Sequence, residues 1–356
     1  MTTMHPPPLE TPIKVTVVVS AFNDGHRLED TVASALSQEG VDVDVILVDD
    51  ASTDGTDRLV SCLVAGDERI TAVFHTVHWG RIATWNDGLS RATGRYVTIV
   101  APGECLALGS LARAARLMES NPRVGMVHGR FGHFTGPQTS HGSRPRARWS
   151  VWAGTVWLRL ACARGRSIIP SSAVMMRMEA VLHTGAFNSA LTNSATLEFW
   201  LRMAATWDVG EIKGPLQAHY GELYANHLLL SSEPTENLKD QLAAFRVLEG
   251  SAVAIPVEVR LRHLRRAEQA LSEEALRLAR HEISQGGLNA ATELRRFIEA
   301  LHTVPGNIHK ANALQADILR ASRRERTIVS HSAAASGRQR LTAARLRLRR
   351  FTEAVN

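Results

Sequence analysis

The sequence of 356 residues has three cysteines, few aromatic residues and no long apolar run. Cys62, Cys105 and Cys162 lie far apart and without CxxC or Cys/His spacing, so neither a disulfide framework nor a zinc site is indicated, and we expect buried thiols. The longest apolar stretches, such as 45–48, are far shorter than the roughly 20 residues of a membrane-spanning helix. We therefore expect no transmembrane segment.

A secretory leader is also not indicated. Residues 1–12 hold four of the 13 prolines and have neither a basic stretch nor an apolar segment. This composition predicts a disordered N-terminus and a cytoplasmic protein. The bulk of the chain, with 44% hydrophobic and 21% charged residues, has enough apolar material for a packed core and is expected to be globular.

Acidic residues are scarce at the C-terminal end. From Arg320 onward ten arginines accompany only Glu325 and Glu353, so this segment has a net charge of +8. The whole chain has a net charge of +6, and residues 1–319 are therefore slightly acidic. Because the basicity is confined there, with no zinc-finger or RNA-binding signature, we expect no nucleic-acid partner. Apolar residues on one helical face of 338–351, surrounded by arginines, leave open a contact with a protein or with the inner face of a membrane, or a solvated tail.

The first hundred residues alternate between β-branched runs and amphipathic segments. Strands are predicted at 14–20, 43–48, 70–74 and 96–100, with helices at 28–36, from 57 and at 82–91. This alternation predicts an α/β fold with a mostly parallel sheet. Because ligands bind at the carboxyl ends of such strands, we expect a crevice lined by 20–24, 49–54 and 101–104.

The rest of the chain is predicted to be a long loop at 131–149 followed by mixed structure and then helices. Helices are expected at 197–206, 237–248, 257–283, 288–301 and 308–326. We therefore divide the chain into a disordered N-terminus, 1–12, a main domain, 13–230, a helical extension, 231–329, and a basic tail, 330–356.

A nucleotide is the first ligand to consider for this crevice. A dinucleotide-binding dehydrogenase needs a glycine-rich turn after the first strand, and residues 21–26 contain one glycine. No Walker A pattern occurs in the chain. Nicotinamide and P-loop chemistry are therefore disfavoured.

Several motifs resemble the family 2 glycosyltransferases of the GT-A fold, in particular actinobacterial members with a helical extension. The resemblance covers about 13–230. It rests on the opening block VVVSAFND at 17–24, VILVDDASTDGT at 45–56, NDGLSRATGRYV at 86–97, PSSA at 170–173, GAF at 185–187 and FWLR at 199–202.

The resemblance implies a nucleotide-sugar donor of the UDP or dTDP type and an acceptor that the sequence does not identify. It implies that Phe22 lies against the base, that Asp50 accepts a hydrogen bond from a ring nitrogen, and that Ser20, Asp24 and Asn86 complete the nucleotide site. An aromatic face and a carboxylate suit these roles. Without the resemblance, the acidic residues of this block are equally typical of turns and helix caps.

Three positions depart from the family pattern. The family's metal-binding carboxylate falls on Gly103, so a Mg²⁺ or Mn²⁺ cofactor is not assured, and Glu104 is the remaining candidate ligand. The family's catalytic base falls on Thr196, a hydroxyl that cannot act as a general base. Glu198 is the candidate substitute base, with a structural role beside Arg202 as the alternative.

The third departure is at the diphosphate. The downstream R-x-H positions fall on Gly221 and Leu223, which leaves His78, Arg81 and His227 as candidate cations. Two interpretations follow. The chain is an inverting glycosyltransferase that works without metal, or it is a catalytically silent GT-A domain that binds a nucleotide sugar or a partner subunit. A third hypothesis is a scaffold that acts through its basic C-terminal helix.

Overall fold

The computed structural model describes residues 12–133, 147–166, 169–191, 193–220, 234–250, 255–301 and 303–323. The chain divides into two compact units, 1–270 and 271–356. The strands of the first unit are β1 Lys14–Ala21, β2 Asp42–Asp49, β3 Ile70–Phe74, β4 Tyr96–Val100, β5 Glu104–Leu106, β6 Val124–His133, β7 Arg148–Trp152, β8 Val174–Arg177 and β9 Asp208–Tyr220.

These strands form one mixed sheet in the order β3-β2-β1-β4-β8-β6-β9-β5, with β7 also paired to β9. The first four in chain order are parallel. β8 is antiparallel to both β4 and β6, and β9 is parallel to β6. The parallel half therefore brings the carboxyl ends of β1, β2 and β4 to one edge of the sheet.

Helices cover both faces of this sheet. Their bounds are α1 Gly25–Leu36, α2 Thr56–Gly66, α3 Arg81–Arg91, α4 Ser110–Glu119, α5 Gly154–Arg164, α6 Met178–Thr184, α7 Ala195–Thr206, α8 Pro234–Phe245, α9 Val257–Gln285, α10 Leu288–Ala300 and α11, 307–323. Within the described ranges, none of these helices combines the length and the apolar character that a bilayer crossing requires.

The core explains why β1 is an almost continuous apolar run. Val17 and Val19 belong to a buried cluster with Leu28 of α1 on one face of the sheet. Val18 points to the opposite face, where a Cβ on Gly88 of α3 would lie 2.4 Å from its Cγ1. Because parallel strands are covered on both faces, they carry few polar residues.

The structure confirms the predicted α/β class and the order of its first elements. The loop predicted at 131–149 is wrong at both ends, since β6 continues to His133 and β7 begins at Arg148; residues 134–146 lie outside the described ranges. The expectation of buried thiols is confirmed for Cys162 and wrong for Cys62 of α2, which is exposed, while Cys105 is only partly buried.

The first unit continues beyond residue 230, where we placed the end of the main domain. α8 and a 3-10 turn, Arg246–Glu249, pack on α7, and Leu238 and Phe245 of this segment are buried. The second unit has its own buried contacts, in which Ser272 Oγ donates to Asn307 Oδ1 at 2.6 Å. The N-terminal residues 1–11 and the basic tail, 330–356, lie outside the described residues, so the domain division stays a prediction.

Candidate functional site

Two turns interlock where β1 and β2 end. The Asp50 N–H donates to the Ala21 carbonyl at 2.9 Å, and the Asn23 N–H donates to Ser52 Oγ at 3.0 Å. In return the Thr53 N–H donates to Asn23 Oδ1 at 2.8 Å. These bonds hold the turn that carries Phe22 beside the strand end that carries Asp50, as expected for the crevice.

Asp50 is the most heavily bonded carboxylate of this edge. Its Oδ1 accepts from His75 Nδ1 and from the Trp79 N–H, both at 2.8 Å. Its Oδ2 accepts from the Gly80 N–H at 2.8 Å and lies 2.9 Å from His78 Nδ1, whose hydrogen bond is to the Asp50 backbone carbonyl at 3.4 Å. Burial alone would raise the pKa of Asp50, but the hydrogen bonds from His75, Trp79 and Gly80 outweigh it and hold the pKa below its ordinary value.

His78 lies across the two groups that the resemblance assigns to the nucleobase. Its ring centroid is 4.0 Å from that of Phe22, with the planes tilted by 34°, while its Nδ1 bonds Asp50. Phe22 is 41% exposed, and the His78 side chain is half-exposed. We predicted His78 as a diphosphate ligand; its contacts instead lie at the Phe22 end of the crevice.

The buried His75, which bonds Asp50, also contacts two further side chains at this end of the site. Its Nε2 lies 3.2 Å from Asp87 Oδ2, and its ring stacks on that of Trp79 with centroids 4.0 Å apart. Trp79 remains 54% exposed. The loop after β3 therefore presents a second aromatic face next to Phe22.

The other predicted nucleotide ligands are partly used by the fold. Ser20 is buried and its Oγ accepts from Trp85 Nε1 at 2.9 Å. The Asn86 amide bonds the backbone N–H and carbonyl of Phe187, both at 2.9 Å. Asp24 precedes α1, 3.9 Å from Arg27, and burial raises its pKa. Of these three predicted ligands, Asp24 and Asn86 are partly exposed and Ser20 is buried.

Arg81 and Glu104 lie at the other end of the crevice. Arg81 begins α3 and is exposed, with its guanidinium 5.3 Å from the ring centroid of Trp85. Glu104 is buried, and its Oε2 accepts from the Ala101 N–H at 3.2 Å. Burial raises the pKa of Glu104, against the opposing effects of that N–H and of the Arg81 charge.

The residues described here do not fit a divalent metal. Gly103 has a φ of +86°, and its N–H donates to Thr31 Oγ1 at 3.0 Å. Within the described ranges, no group of three or more His, Cys, Asp or Glu side chains could hold a metal ion. Glu104, the predicted ligand, is buried at the first residue of β5.

Glu198, the predicted substitute base, is locked in an ion pair. It is 4% exposed, and its two oxygens accept from Arg202 Nε at 2.6 Å and Nη2 at 2.8 Å. Arg202 also donates to the carbonyls of Thr184 and Ala186. Thr196, two residues earlier in α7, is only partly exposed. These contacts are those of the structural alternative for Glu198.

Another carboxylate, Asp240 of α8, lies at the start of α7. Its Oδ2 accepts from the Ser194 N–H at 2.6 Å and from the Asn193 N–H at 2.9 Å. It thereby caps the helix that carries Thr196, and it is only partly buried. Asp240 therefore stands near the position where the sequence comparison leaves the catalytic carboxylate missing.

A family model described as glycosyl transferase family 2 matches residues 16–181, which include every strand end of the crevice. Residues 16–181 are a family 2 glycosyltransferase domain. The succinoglycan biosynthesis protein ExoO of Rhizobium meliloti is 35% identical over 97 residues, which are 27% of this chain and 27% of that protein. Matches to three curated relatives cover 27%, 46% and 34% of their lengths, so the family 2 domain is shared and the remainder is not compared.

Solved structures show that the family 2 domain has the predicted GT-A fold. S. aureus TarS 1-349, in complex with UDP-GlcNAc, has a TM-score of 0.61 at 14% identity, covering 88% of this chain and 92% of that one. The mannosyltransferase PcManGT of Pyrobaculum calidifontis, in complex with GDP-Man and Mn²⁺, has a TM-score of 0.51 at 19% identity, with coverage of 89% and 88%. At these identities the likeness concerns the fold.

Sequence reasoning missed three residues of the candidate site. His75 and Trp79 follow the carboxyl end of β3, and the rule that places ligands at strand ends would have drawn attention to them. Asp240 gave no signal, because its position at α7 depends on how α8 packs. His227, predicted for the diphosphate, and the positions of Gly221 and Leu223 lie outside the described residues.

Proposed function

We propose that the chain transfers a sugar from a nucleoside diphosphate donor, of the UDP or dTDP type, to an acceptor with inversion at the anomeric carbon. The observation that carries this proposal is the pairing of Phe22 with Asp50 at the carboxyl edge of the family 2 domain. A face of Phe22 suits a stacked base, and an ionised carboxylate suits a ring N–H donor.

The base can reach Asp50 only where a neighbouring side chain gives way. Three hydrogen-bond donors to its carboxylate are backbone N–H groups or the buried His75, whereas His78, with Nδ1 2.9 Å from Oδ2, is half-exposed. Uracil and thymine carry a ring N–H that can donate to Oδ2 once His78 leaves. Adenine carries no ring N–H on its pairing edge and is expected to bind poorly.

Arg81 is the cation that we assign to the departing diphosphate. The family implies a divalent metal, but the described residues do not fit one, so we derive no step through a metal. A guanidinium can stabilise the charge that develops on the leaving oxygen, most strongly once the bound donor and acceptor exclude water from the site. The pair formed by Arg81 and Trp85 holds that guanidinium at the mouth of the crevice.

Asp240 is the carboxylate that we assign to the acceptor proton. The acceptor oxygen attacks the anomeric carbon, the bond from that carbon to the phosphate oxygen breaks, and the nucleoside diphosphate leaves. The acceptor proton passes to a carboxylate oxygen. Among the described residues Oδ1 of Asp240 has no hydrogen-bond partner, whereas both oxygens of Glu198 are bonded to Arg202.

Substitution of Asp240 tests this assignment. Asp240→Asn retains an oxygen that can cap α7 but removes the base, so we expect turnover to fall about 10²- to 10⁴-fold with UDP affinity unchanged. Transfer or donor hydrolysis is measured by mass spectrometry.

Glu198→Gln is the matched control. It weakens an ion pair, lowers the melting temperature and should leave the turnover of the folded protein within a few-fold. The opposite ranking, in which Glu198→Gln abolishes turnover and Asp240→Asn does not, would return the role of base to Glu198.

The second candidate function is a catalytically silent domain that binds a nucleotide sugar or a partner subunit. It is favoured by the ion pair that locks Glu198 and by Gly103 at the metal position. Wild-type protein that binds UDP but neither transfers nor hydrolyses any donor would support it. A peripheral contact with a membrane or a protein through 338–351 remains a proposal from the sequence.

A further inference from the structure

Two polar side chains of α9 are buried on one face of the helix, away from the donor crevice. Arg260 is 7% exposed and His263 is 4% exposed. Residues three apart on a helix are neighbours on its surface. The two side chains therefore point into the same region of the first unit.

Neither side chain has a partner in the described part of the chain. Nε and Nη1 of Arg260 and Nδ1 of His263 are buried without a hydrogen bond. Buried polar groups in folded proteins are nearly always paired, and an unpaired buried charge is among the most costly features of a fold. Two such groups side by side indicate that something else satisfies them.

The surroundings are positive. Exposed Arg159 of α5 and Arg262 and Arg266 of α9 act on His263, whose pKa is lowered first by burial and then by these three charges. Arg266 also acts on the buried Cys162 of α5. The charges therefore come from both helices around one buried pair.

No carboxylate neutralises this cluster within the described ranges. None of Arg159, Arg260, Arg262, His263 and Arg266 forms an ion pair there, whereas Arg277 further along α9 is paired with Glu274. Adjacent like charges repel each other unless an anion lies between them.

We propose that this cluster of α5 and α9 is a binding site for a phosphate group. Arginine guanidinium groups are strong donors to phosphate oxygens, and the buried guanidinium of Arg260 has two N–H donors, Nε and Nη1, that bond no other group of the described residues. His263 supplies a further polar nitrogen. The site shares no residue with the donor crevice and does not depend on the transfer reaction.

Thermal unfolding tests the site with inorganic phosphate as the probe. At constant ionic strength, replacing chloride by phosphate should raise the melting temperature of the full chain progressively, because a ligand bound only to the folded state stabilises it. Arg260→Met should melt higher than the wild type in chloride, since an unpaired buried charge is gone, and should lose the response to phosphate.

Arg277→Met is the matched control on the same helix and should keep the full response. His263→Asn is a second variant and should weaken the response even if Arg260→Met does not fold. A wild type indifferent to phosphate, or an Arg260→Met protein with the wild-type response, would overturn the proposal.

The phosphate could be free or part of a lipid headgroup, and a second arm separates these sources. Sedimentation with phosphatidylglycerol vesicles compares the wild type with Arg260→Met, so that binding through the basic tail cancels. Weaker sedimentation of the variant identifies a headgroup. Equal sedimentation together with a phosphate response identifies a free phosphate group, and no difference in either arm rejects the site.

Discussion

His78 occupies the position that we propose for the donor base. Its ring centroid lies 4.0 Å from that of Phe22 and its Nδ1 lies 2.9 Å from Asp50 Oδ2, so it contacts both groups that we assign to the base. A ligand that binds only the protein with His78 displaced has an apparent affinity reduced by the fraction of protein in that state. His78 is therefore a competitor for the donor, and its removal should favour binding.

His78→Ala should tighten UDP binding about 3- to 10-fold, because a side chain that competes with the ligand for Phe22 and Asp50 is lost. Calorimetry at pH 7 measures the change, and His281→Ala, at an exposed histidine of α9, is the control. Weaker binding in His78→Ala would mean that the side chain contacts the diphosphate, as the sequence first indicated.

At the same scale, the sequence indicated the pairing of Phe22 with Asp50 but not the number of donors around Asp50. Two adjacent strand ends are enough to place a turn beside a carboxylate. The donors from Trp79 and Gly80 depend on the backbone path of the loop after β3, which no residue pattern specifies. For Asp54, the residue pattern left open whether its carboxylate binds a ligand or accepts a backbone N–H near the start of a helix. Its Oδ1 accepts from the Thr56 N–H at 3.0 Å, at the start of α2.

At the scale of elements, strands were predictable where both faces are buried. β1, β2 and β4 are runs of β-branched residues, which are typical of parallel strands, and their bounds differ from the prediction by at most a residue or two. β5 has only three residues and pairs with β9, over a hundred residues later. Such pairing between distant segments leaves no local signal, so β5 was not predicted.

The backbone conformation of the turn between β4 and β5 limits which residues are tolerated in place of Gly103. Its φ of +86° is a conformation that glycine adopts without strain and other residues rarely adopt. Gly103→Asp should therefore destabilise the protein by about 1–2 kcal/mol in urea unfolding.

The same variant is not expected to acquire a dependence on Mn²⁺, because the described residues contain no group of three or more His, Cys, Asp or Glu side chains that could hold a metal ion. Gly103→Ala controls for the backbone effect. A Gly103→Asp protein that binds UDP-GlcNAc more tightly in Mn²⁺ than in EDTA would show that a metal site survives in the crevice.

At the scale of the whole molecule, the first helix of the extension is part of the first unit. α8 packs on α7 and brings Asp240 to the start of that helix. The sequence indicated a helical extension from its periodicity, but it gave no reason to place one of its carboxylates at the transferase domain. Because this contact forms between segments that are distant in the sequence, the residue pattern indicated Glu198 of α7 as the candidate base and not Asp240.

The central claim is that a nucleoside diphosphate binds at Phe22 and Asp50 without a metal. Titration calorimetry of the full chain with UDP, in EDTA and then in Mn²⁺, tests it most directly. We predict the same affinity in both conditions and, for Asp50→Asn, a loss of about 1.5–3 kcal/mol, as for a hydrogen bond to a charged group. Absence of UDP binding, or binding that EDTA removes and Mn²⁺ restores, would contradict the account.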